Sequence, residues 1–597
     1  MIIGRSEGGN TIDGQPYNYT YIAEGVYKTA DNTYLIDNAA GLMWLASEVN
    51  KYSNYEYPFK GETIKLAKDI DLNGMEWTPI GDYRFSANRF CGTFDGQNNT
   101  ISNFKITKKT DKNDSNKSSY GFFGNLEGTV KNLTIANAQV NSYAYTAALV
   151  GRFNNGLIEN CHAVNCEVSN TYWQGGVLIG QVNAAEGAES IVSNCSVSNS
   201  SITSKSAVGV ISGPVTASEK GYIKFNGCKV DNCEVIQQGS FGSSYDRYFG
   251  SLFGYLETDA DSNISVLNYN ITNTTVKGET NAPISGDLDG RININGVNTI
   301  GSAEELATAI KTGGDYLLIR DIAMTEAIYQ NVNFTLDGNG YTISQAEGST
   351  NTYALFDSVT GKITLKNVKF AGIKGGAVLR TIGAETIIDN VTIESAETTQ
   401  KQGLFRLMGK STIKNSTFKN NACSMVITLN YDGANNDPQV VENCVFEGNT
   451  CNGTAVLYYV KGASATINGN KFIGNTVNCE NNGATVYMGF TENNIVTNNL
   501  FQNNTVNEAD TSSRVAGGVF FGYDTEFSGN AFIGNKVTGE NAKGNDVCVS
   551  TYYTSINLSG NYWGGNAPVE DNNYFVQHKS EDRVVIMTDY LTENPFN

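Results

Sequence analysis

A short phrase built around one apolar residue recurs through the second half of the chain, and it constrains the fold more than any other feature. Its apolar anchors are Phe370, Ile393, Phe418, Phe446, Phe472, Phe501, Phe532 and Trp563. Successive anchors lie 23 to 31 residues apart. Segments such as ITLKNVKF and ATINGNKF alternate apolar and polar residues, which turns one face of a strand inward. Because one such unit cannot bury its face alone, the repeat predicts a stacked coil of short parallel strands.

Asparagine recurs three residues after five of these anchors. The residues are Asn449, Asn475, Asn504, Asn535 and Asn566. In stacked, in-register strands an amide at one position can bond the same amide on the next strand. We therefore expect a structural asparagine ladder at one turn of the coil. A helical solenoid is disfavoured, because no apolar 3.6-residue periodicity runs through these segments.

The first half carries a different repeat, in which an apolar strand ends in glycine and an Asn-bearing strand follows. The glycines are Gly124, Gly151, Gly180, Gly213 and Gly254. Cysteines keep step with this repeat: Cys161, Cys195 and Cys228 are 34 and 33 residues apart, and Cys166 and Cys233 match at a second position. We expect stacked, small apolar side chains here and no disulfides. Eleven cysteines without a Cys-x-x-Cys pair, and only two histidines, also disfavour structural zinc.

Each half opens on an amphipathic helix. The segment LIDNAAGLMWLASEVN has Asn38 as its predicted N-cap, and TIGSAEELATAIKTGG has Ser302 as its N-cap with Glu305 completing a capping box. Both segments lead through two strands to a similar turn, TFDGQ or TLDGNG. Open strand edges promote aggregation, so each helix is predicted to cover the first rung of its own coil.

These patterns predict an all-β fold of two tandem right-handed parallel β-helices, each with a short N-terminal capping helix. The predicted division is an extended or strand lead-in over residues 1–34, a first β-helix over 35–285 and a second over 286–597. The segment after Trp563 is expected to fold back as a C-terminal cap. Composition agrees, because 63 glycines and frequent Asn suit turns, while Thr, Val, Ile and aromatic residues suit strands.

The chain is acidic, with a formal net charge of −19. Nucleic acids and anionic membranes are bound by clustered Lys and Arg, so neither is an expected partner. No stretch approaches 18 apolar residues, and residues 1–10 lack the pattern of a signal peptide. We expect no membrane insertion, and a virion component, which would reach its place without a signal peptide, is one alternative for the location.

Both halves resemble known families. The segments NAAGLMWLASEVN, IKLAKDIDLNGMEWTPIGD, FCGTFDGQNNTI and ALVGRFNNGLIENCHAVNCEV resemble bacterial surface proteins with GLUG-type repeats. The second half is similar to right-handed parallel β-helix proteins of the pectate-lyase-like superfamily, including adhesin-like members with the closing phrase NYWGGNAP. Together these similarities cover most of residues 35–597. They imply an exported or surface-attached protein, with an extracellular or cell-surface location and a role in adhesion or glycan contact.

Catalytic motifs of this superfamily are absent from the sequence. It has no GHG or RIK phrase, and His162 lies inside a repeat. Asp95 and Asp337 occupy Asp-Gly turns, and Asp69 and Asp71 share the outer face of one strand, where solvation explains them. We therefore expect no catalytic residues and a non-enzymatic binding protein. A polysaccharide lyase or glycoside hydrolase, or a phage tail-spike or other virion receptor-binding component, remains an alternative.

Metal binding has one weak candidate. Asp287 and Asp289 lie in a turn and could supply oxygen ligands to calcium, although no specific calcium motif surrounds them. No cofactor or resident metal is expected.

Aromatic residues precede the glycine-ending strands of the first half, at similar places on successive rungs. The candidates for glycan binding are Tyr143, Tyr145, Tyr172, Trp173, Tyr245 and Tyr248. Rungs would line them along one side, where amphipathic rings suit a binding surface. The partners expected are glycans or surface proteins. The alternative is that these rings pack a loop onto the coil.

Overall fold

The computed structural model describes most of the chain. The exceptions are residues 1–10, 13–14, 17–18, 30, 52–56, 82–87, 108–118, 260, 281, 326, 330–331, 350–353, 384, 399–402, 431–436, 463, 481, 492, 510–514, 522–523, 541, 551–554, 578–583 and 597. The chain forms two compact units that divide between Thr299 and Ile300. Both are coils of parallel strands, so the chain is a β-helix protein as the repeats predict. No helix among the described residues is long and apolar enough to span a membrane.

The first unit opens with antiparallel strands. Thr11–Ile12 pairs with Gln15–Pro16, and Tyr19–Ala23, Val26–Thr29 and Thr33–Ile36 form a meander. The last strand of the meander then pairs in parallel with Thr63–Leu66. The antiparallel entry therefore leads directly into the coil.

The coil of the first unit stacks in register from rung to rung. One six-stranded sheet, here called the glycine sheet, consists of Phe123–Leu126, Val150–Phe153, Ile179–Ala184, Ser212–Ala217, Phe253–Thr258 and Leu288–Asp289. The remaining sides are formed by Ile70–Glu76, Thr93–Thr107, Thr129–Ala136, Gln139–Thr146, Gly156–Val164, Glu167–Gly176, Glu189–Ser193, Ser196–Ser198, Ser201–Ser204, Val208–Gly209, Tyr222–Asn226, Lys229–Asp231, Glu234–Gln237, Asn263–Leu267, Asn270–Thr272, Thr275–Val276, Glu279–Thr280, Ile292–Ile294 and Val297–Ile300.

The repeated glycines of this unit lie where backbone segments approach closely. A Cβ on Gly151 would lie 2.6 Å from the backbone nitrogen of Tyr120, and one on Gly180 would lie 2.4 Å from the carbonyl oxygen of Gly151. No side chain fits at such distances. The glycine repeat is thus a packing requirement of the coil.

The cysteine positions of the first unit are interior, as predicted. Cys161, Cys195 and Cys228 are buried, and so are Cys166 and Cys233. All eleven cysteines of the chain are free. Burial raises the pKa of Cys166 and of Cys233 to about 11. These thiols behave as small apolar core groups.

The second unit has four columns of strands. One column contains Gly314–Leu318, Phe334–Asp337, Ile363–Lys366, Thr386–Asp389, Ser411–Lys414, Gln439–Glu442, Ala465–Asn468, Asn494–Thr497 and Thr525–Ser528. The column of the anchors contains Ile322–Met324, Thr342–Gln345, Lys369–Ala371, Thr392–Glu394, Thr417–Lys419, Val445–Glu447, Lys471–Ile473, Leu500–Gln502 and Ala531–Ile533.

The two other columns complete each turn of the second coil. A seven-stranded sheet contains Lys374–Gly375, Glu397–Thr398, Ala422–Cys423, Thr450–Cys451, Thr476–Cys479, Thr505–Glu508 and Lys536–Thr538. A ten-stranded sheet contains Ile328–Tyr329, Ala354–Val359, Ala377–Thr381, Phe405–Leu407, Ile427–Leu429, Ala455–Gly462, Ala484–Thr491, Ala516–Phe521, Val547–Ser550 and Tyr574–Gln577.

Both predicted helices are present. In α1, Ala39–Asn50, the side chain of Asn38 accepts a hydrogen bond from the Gly41 backbone N–H at 3.1 Å. In α2, Ala303–Thr312, Ser302 Oγ accepts from the Glu305 N–H at 3.1 Å. The buried face of α2 belongs to the same apolar core as the first strands of its unit. This helix therefore closes the start of the second coil.

The anchors form a continuous aromatic stack inside the second unit. From Phe418 to Trp563, neighbouring ring centroids are 4.6 to 5.1 Å apart, and the stack consists of Phe418, Phe446, Phe472, Phe501, Phe532 and Trp563. The spacing follows from the ~4.8 Å separation of neighbouring strands. Each anchor thus packs on the anchor of the next rung.

The asparagine ladder is confirmed at four of its five predicted positions. Each Nδ2 donates to the Oδ1 of the next residue at 2.8 to 3.1 Å along Asn421, Asn449, Asn475, Asn504 and Asn535. The prediction is wrong for Asn566, which is exposed. The ladder ends instead on the buried Asp546, which lies on the same rung as Asn535 and accepts its Nδ2 at 3.1 Å.

A second buried ladder was not predicted. In this ladder, the side-chain amides form hydrogen bonds of 2.9 to 3.0 Å from each residue to the next, along Asn470, Asn499, Asn530 and Asn561. Its members lie two residues before an anchor, a position that Ser416 and Cys444 occupy on earlier rungs. The sequence shows this ladder as a second recurrent asparagine in the repeated phrase, two residues before the anchor.

The end of the chain continues the coil, so the predicted fold-back after Trp563 is wrong. Tyr574–Gln577 pairs in parallel with Val547–Ser550, and Val585–Ile586 pairs in parallel with Ile556–Asn557. The anchor phrase stops at Trp563, which hid these strands from a search for that phrase. The described part of the tail adds strands to the last rung.

Candidate functional site

Most of the predicted tyrosines form one connected group on the outside of the first unit. Tyr143 and Tyr172 stack face to face, with ring centroids 4.6 Å apart and an angle of 6° between planes. Phe241 meets Tyr172 edge-on at 5.0 Å. The group continues from Phe241 to Tyr245 at 6.2 Å, from Tyr245 to Tyr248 at 6.1 Å and from Tyr248 to Tyr255 at 5.2 Å. We call these six residues the aromatic stripe.

Strand pairing places the first two rings together. Tyr143 lies in Gln139–Thr146 and Tyr172 in Glu167–Gly176, which are parallel neighbours whose register shifts after Ser142. Tyr172 is 38% exposed and Phe241 is 36% exposed, so the stripe faces solvent. Large exposed aromatic groups of this kind are characteristic of binding surfaces.

Tyr145 lies at a corner of the coil, next to the stripe. Its backbone has φ of +48°, and the residues at the same place on the next rungs, Gln174 and Ala207, also have positive φ. The guanidinium of Arg152 lies 4.8 Å from the centre of the Tyr145 ring. A left-handed tyrosine is uncommon, and this one holds its ring against a cation.

Two cations contact rings of the stripe itself. Arg247 lies over the ring of Tyr248 at 5.0 Å, and one of its Nη atoms donates to the phenol oxygen at 3.0 Å. The same side chain forms an ion pair with Asp287 at 3.2 Å. The ammonium of Lys205 lies 5.5 Å from the centre of the Phe241 ring. The stripe therefore offers both ring surfaces and hydrogen-bond donors.

Two phenols of the stripe, those of Tyr255 and Tyr143, have a raised pKa, which keeps them protonated near neutral pH. Burial raises the pKa of Tyr255 to about 12, with further contributions from Glu257, Tyr248 and Tyr145. Burial, followed by the neighbouring Tyr172, also raises the pKa of Tyr143. Each of these hydroxyls can thus both donate and accept a hydrogen bond.

The sequence located only part of this surface. Tyr143, Tyr172, Tyr245 and Tyr248 meet in the stripe, whereas Tyr145 lies beside Arg152. The side chain of Trp173 lies outside the part of the chain that the structure describes. Phe241 and Tyr255 were missed. Phe241 comes four residues before Tyr245, and Tyr255 directly follows Gly254 as Arg152 follows Gly151, so aligning the glycines would have shown Tyr255.

The other sequence candidates have structural roles. Half-buried His162 is within hydrogen-bond distance of Ser196 Oγ at 2.7 Å and of Asn160 Oδ1 at 3.2 Å. Burial lowers its pKa. Asp95 and Asp337 each accept a backbone N–H two residues ahead at 3.0 Å, which is the expected turn contact.

The carboxylates on strands and turns also have protein partners. Asp69 accepts the Thr100 backbone N–H at 2.7 Å, and Asp71 accepts the Asn103 side-chain amide at 2.9 Å. Asp287, a candidate calcium ligand with Asp289, is paired with Arg247. Over the described residues, no group of three or more His, Cys, Asp or Glu side chains could hold a metal ion.

Comparison with known proteins supports the fold. Residues 331–501 match the family model of the right-handed beta helix region. A stretch of 134 residues is 34% identical to Halomucin from Haloquadratum walsbyi, and it covers 21% of this chain and 1% of that protein. The chain therefore spans a very small part of this relative.

A solved structure is also similar to part of the chain. It is a crystal structure from Bacteroides ovatus named as a candidate immunoglobulin A1 protease. The two are 19% identical, and the alignment covers 51% of this chain and 88% of that chain with a TM-score of 0.25.

Proposed function

We propose that this chain is a surface or secreted binding protein without catalytic activity, and that it holds glycans on the aromatic stripe. The observation that carries the proposal is the connected set of rings from Tyr143 to Tyr255, of which Tyr172 and Phe241 are exposed. Apolar ring surface, phenol hydroxyls and neighbouring cations suit the apolar faces and hydroxyl groups of sugars. The resemblance to adhesin-like β-helix proteins supports an extracellular or cell-surface location.

The geometry refines how a sugar would meet the stripe. The faces of Tyr143 and Tyr172 cover one another at 4.6 Å. A glycan would therefore contact their edges and hydroxyls, and it would reach the exposed parts of Phe241 and Tyr172. A chain of several sugar units fits this surface better than a monosaccharide, because the rings extend over more than one rung.

A glycan array with matched variants tests the proposal. The double variant Tyr143→Ala/Tyr172→Ala is expected to bind any glycan hit at least about tenfold more weakly, since aromatic anchors dominate such interfaces. Tyr590→Ala is the control, because Tyr590 is 37% exposed but lies in the second unit. Equal binding by the double variant and the wild type would show that the aromatic stripe is not the glycan-binding site.

A glycan that binds on the array can also be used to test for catalysis. Incubation with the wild-type chain should return the glycan at its original length when the products are separated by size. Shortened fragments formed at enzymatic rates would favour the polysaccharide lyase or glycoside hydrolase alternative.

A further inference from the structure

An uncharged row of side chains lies on one outer face of the second unit. It belongs to the column of strands that begins with Gly314–Leu318, where buried and half-buried residues alternate from Phe334–Asp337 to Ala465–Asn468. The half-buried residues that pair in register are Thr335, Thr364, Ile387, Thr412, Val440 and Thr466. All six are β-branched and none is charged, in a chain of net charge −19.

A charged row runs beside the uncharged row, two residues further along each strand. Its members, in register, are Asp337, Lys366, Asp389, Lys414, Glu442 and Asn468. The charges alternate in sign over the first five strands. The ammonium of Lys366 lies 3.3 Å from a carboxylate oxygen of Asp337, and Lys414 lies at the same distance from Asp389. These four side chains are 24 to 44% exposed, so they also face solvent.

A row of alternating charges is complementary to a reversed copy of itself. Two sheets can pack face to face with their strands nearly aligned. If a twofold axis runs along the strand direction, each row faces the same row of a second copy, with the order of strands reversed. When the axis lies between the third and fourth strands of this face, Asp389 faces the second copy's Lys414. Lys366 then faces the second copy's Glu442, and symmetry repeats both contacts.

The uncharged rows meet in the same arrangement. Ile387 faces the second copy's Thr412, and Thr364 faces the second copy's Val440. A twofold axis along the coil would instead place the uncharged row of one copy on the charged row of the other. Lysines and carboxylates would then lose water without gaining partners, which is costly. The face therefore favours one antiparallel arrangement.

The size of this face determines the strength of the contact. Six strands of four residues, spaced ~4.8 Å apart, cover roughly 400 Å² on each copy. Stable protein complexes bury about 800 Å² on each partner. The contact is therefore weak and reversible, and it depends on salt because its charges stay partly in water.

We propose that this face joins the chain to a second copy of itself in a weak antiparallel dimer. Two observations support the dimer: an uncharged row that six rungs share, and a charge order that is complementary to its own reversal. The contact is independent of glycan binding, since both rows lie in the second unit and the aromatic stripe lies in the first.

Sedimentation velocity of the full chain, over a concentration series up to about 500 µM, tests the dimer. The wild type should show a reversible monomer–dimer equilibrium whose Kd rises at least about threefold from low to high salt. Asp389→Lys and Lys414→Glu should each weaken the dimer at least about tenfold, because each places like charges opposite one another. An equimolar mixture of the two variants should dimerise about as well as the wild type, since lysines face carboxylates again.

A variant in the uncharged row tests the same contact without breaking an ion pair within the chain. Thr412→Arg places a charge against Ile387 of the second copy, so it should also weaken the dimer at least about tenfold. Its side chain points outward, and circular dichroism checks that this and every other variant is folded. It therefore decides the matter even where a charge reversal disturbs the fold.

Lys419→Glu is the matched control. Lys419 is 43% exposed and pairs with Glu447 at 3.2 Å, whereas Lys414 is 42% exposed and pairs with Asp389 at 3.3 Å. Lys419 lies in the column of the anchors, so its reversal should leave dimerisation unchanged. A wild type that stays monomeric over the whole series overturns the proposal. So does a dimer that Thr412→Arg and the charge reversals leave intact, a mixture that does not recover dimerisation, or an equal loss in Lys419→Glu.

Discussion

The two units contain aromatic stacks of the same geometry, but the stack of the second unit lies inside its coil and the stack of the first unit lies on the outside. Phe446 and Phe472 stack at 4.6 Å with 6° between their planes, inside the second unit and fully buried. Tyr143 and Tyr172 stack with the same distance and angle on the outside of the first unit. Strand spacing alone imposes this geometry. Stacking therefore does not distinguish core from site, whereas exposure to solvent does.

Polar ladders of the two units also differ in their exposure to solvent. In the second unit, Asn475 and its neighbours are buried and bond one another along the coil. In the first unit, comparable amide contacts such as Asn137 to Asn103 at 3.0 Å are exposed. Buried amides must be satisfied, so the second unit depends on its ladders for stability. The first unit carries its polar groups on surfaces that a ligand can reach.

The largest expected effect comes from removing an inner ring. Phe472→Ala should destabilise the second unit by ~3–5 kcal/mol, because it leaves a cavity between two stacked neighbours. Tyr172→Ala, in the outer stack, should cost ~1 kcal/mol or less, since its ring is already partly in water. Urea unfolding followed by circular dichroism measures both. Similar losses would refute the division into an inner and an outer stack.

A buried carboxylate gives the second unit its own pH response. Burial raises the pKa of Asp546 from 3.8 to about 6, against the opposing hydrogen bonds from Asn573 and Asn535. Because the folded pKa is the higher one, the protonated form stabilises the fold. This stability is complete below pH 3.8 and is lost as the pH rises through about 6, on the order of 3 kcal/mol.

Unfolding midpoints of the second unit between pH 4.5 and 7.5 should therefore fall as pH rises, and Asp546→Asn should flatten this slope. The variant has one side-chain oxygen fewer to accept hydrogen bonds from Asn535 and Asn573, so its stability also falls at every pH. The dependence of the midpoint on pH is therefore the quantity to compare. In the first unit, His162 should contribute in the opposite direction, since its lowered pKa makes its protonation unfavourable to folding. A slope that persists in Asp546→Asn would assign the response to another group.

Breaking one amide of the buried ladder should have a moderate effect. Asn475→Ala removes the acceptor of the Asn449 amide and is expected to cost about 1–3 kcal/mol. Asn478→Ala is matched to it, since Asn478 lies on the same rung and bonds Asn452 and Asn507 in an exposed ladder. That control should change stability by less than ~0.5 kcal/mol. Equal losses of unfolding free energy in the two variants would show that burial does not determine how much a ladder contributes to stability.

The smallest effect is expected from the thiols. Because the cysteines are free and ten of them are buried, a reducing agent should leave the unfolding midpoint of both units unchanged. Native protein should react slowly with Ellman's reagent, while urea-unfolded protein should expose all eleven thiols. A reductant-dependent midpoint would reveal disulfides and contradict the core role of Cys161 and its neighbours.

The fold was predictable because repetition and its period survive in the sequence. Anchors such as Phe446, the glycines and both helix caps all lie at recurrent positions. Asn566 keeps the spacing of the ladder but is exposed, because the ladder already ends one rung earlier, where Asp546 accepts the Asn535 amide. The site was harder to predict. Tyr143 and Tyr172 occupy matching rungs, but Phe241 comes from an insertion between strands.

A polar cleft of about 550 Å³ on the glycine sheet, lined in part by Arg152 and Asn183, could not be located from local patterns. Arg152 and Asn183 belong to two different repeats, and only the register of the glycine sheet brings them together. Their outward direction follows from strand alternation once that register is known. Single residues in a repeat thus carry little functional signal until the rungs are aligned.

Hydroxyl-radical footprinting with mass spectrometry tests the central claim most directly, that the outer stack is a glycan-binding surface. Oxidation of Tyr172, Phe241 and Tyr590 would be measured with and without an array hit at saturating concentration. The three rings have similar exposed fractions of 36 to 38%. We predict protection of Tyr172 and Phe241 with no change at Tyr590. Unchanged oxidation of Tyr172 and Phe241 while the glycan is bound would contradict the account.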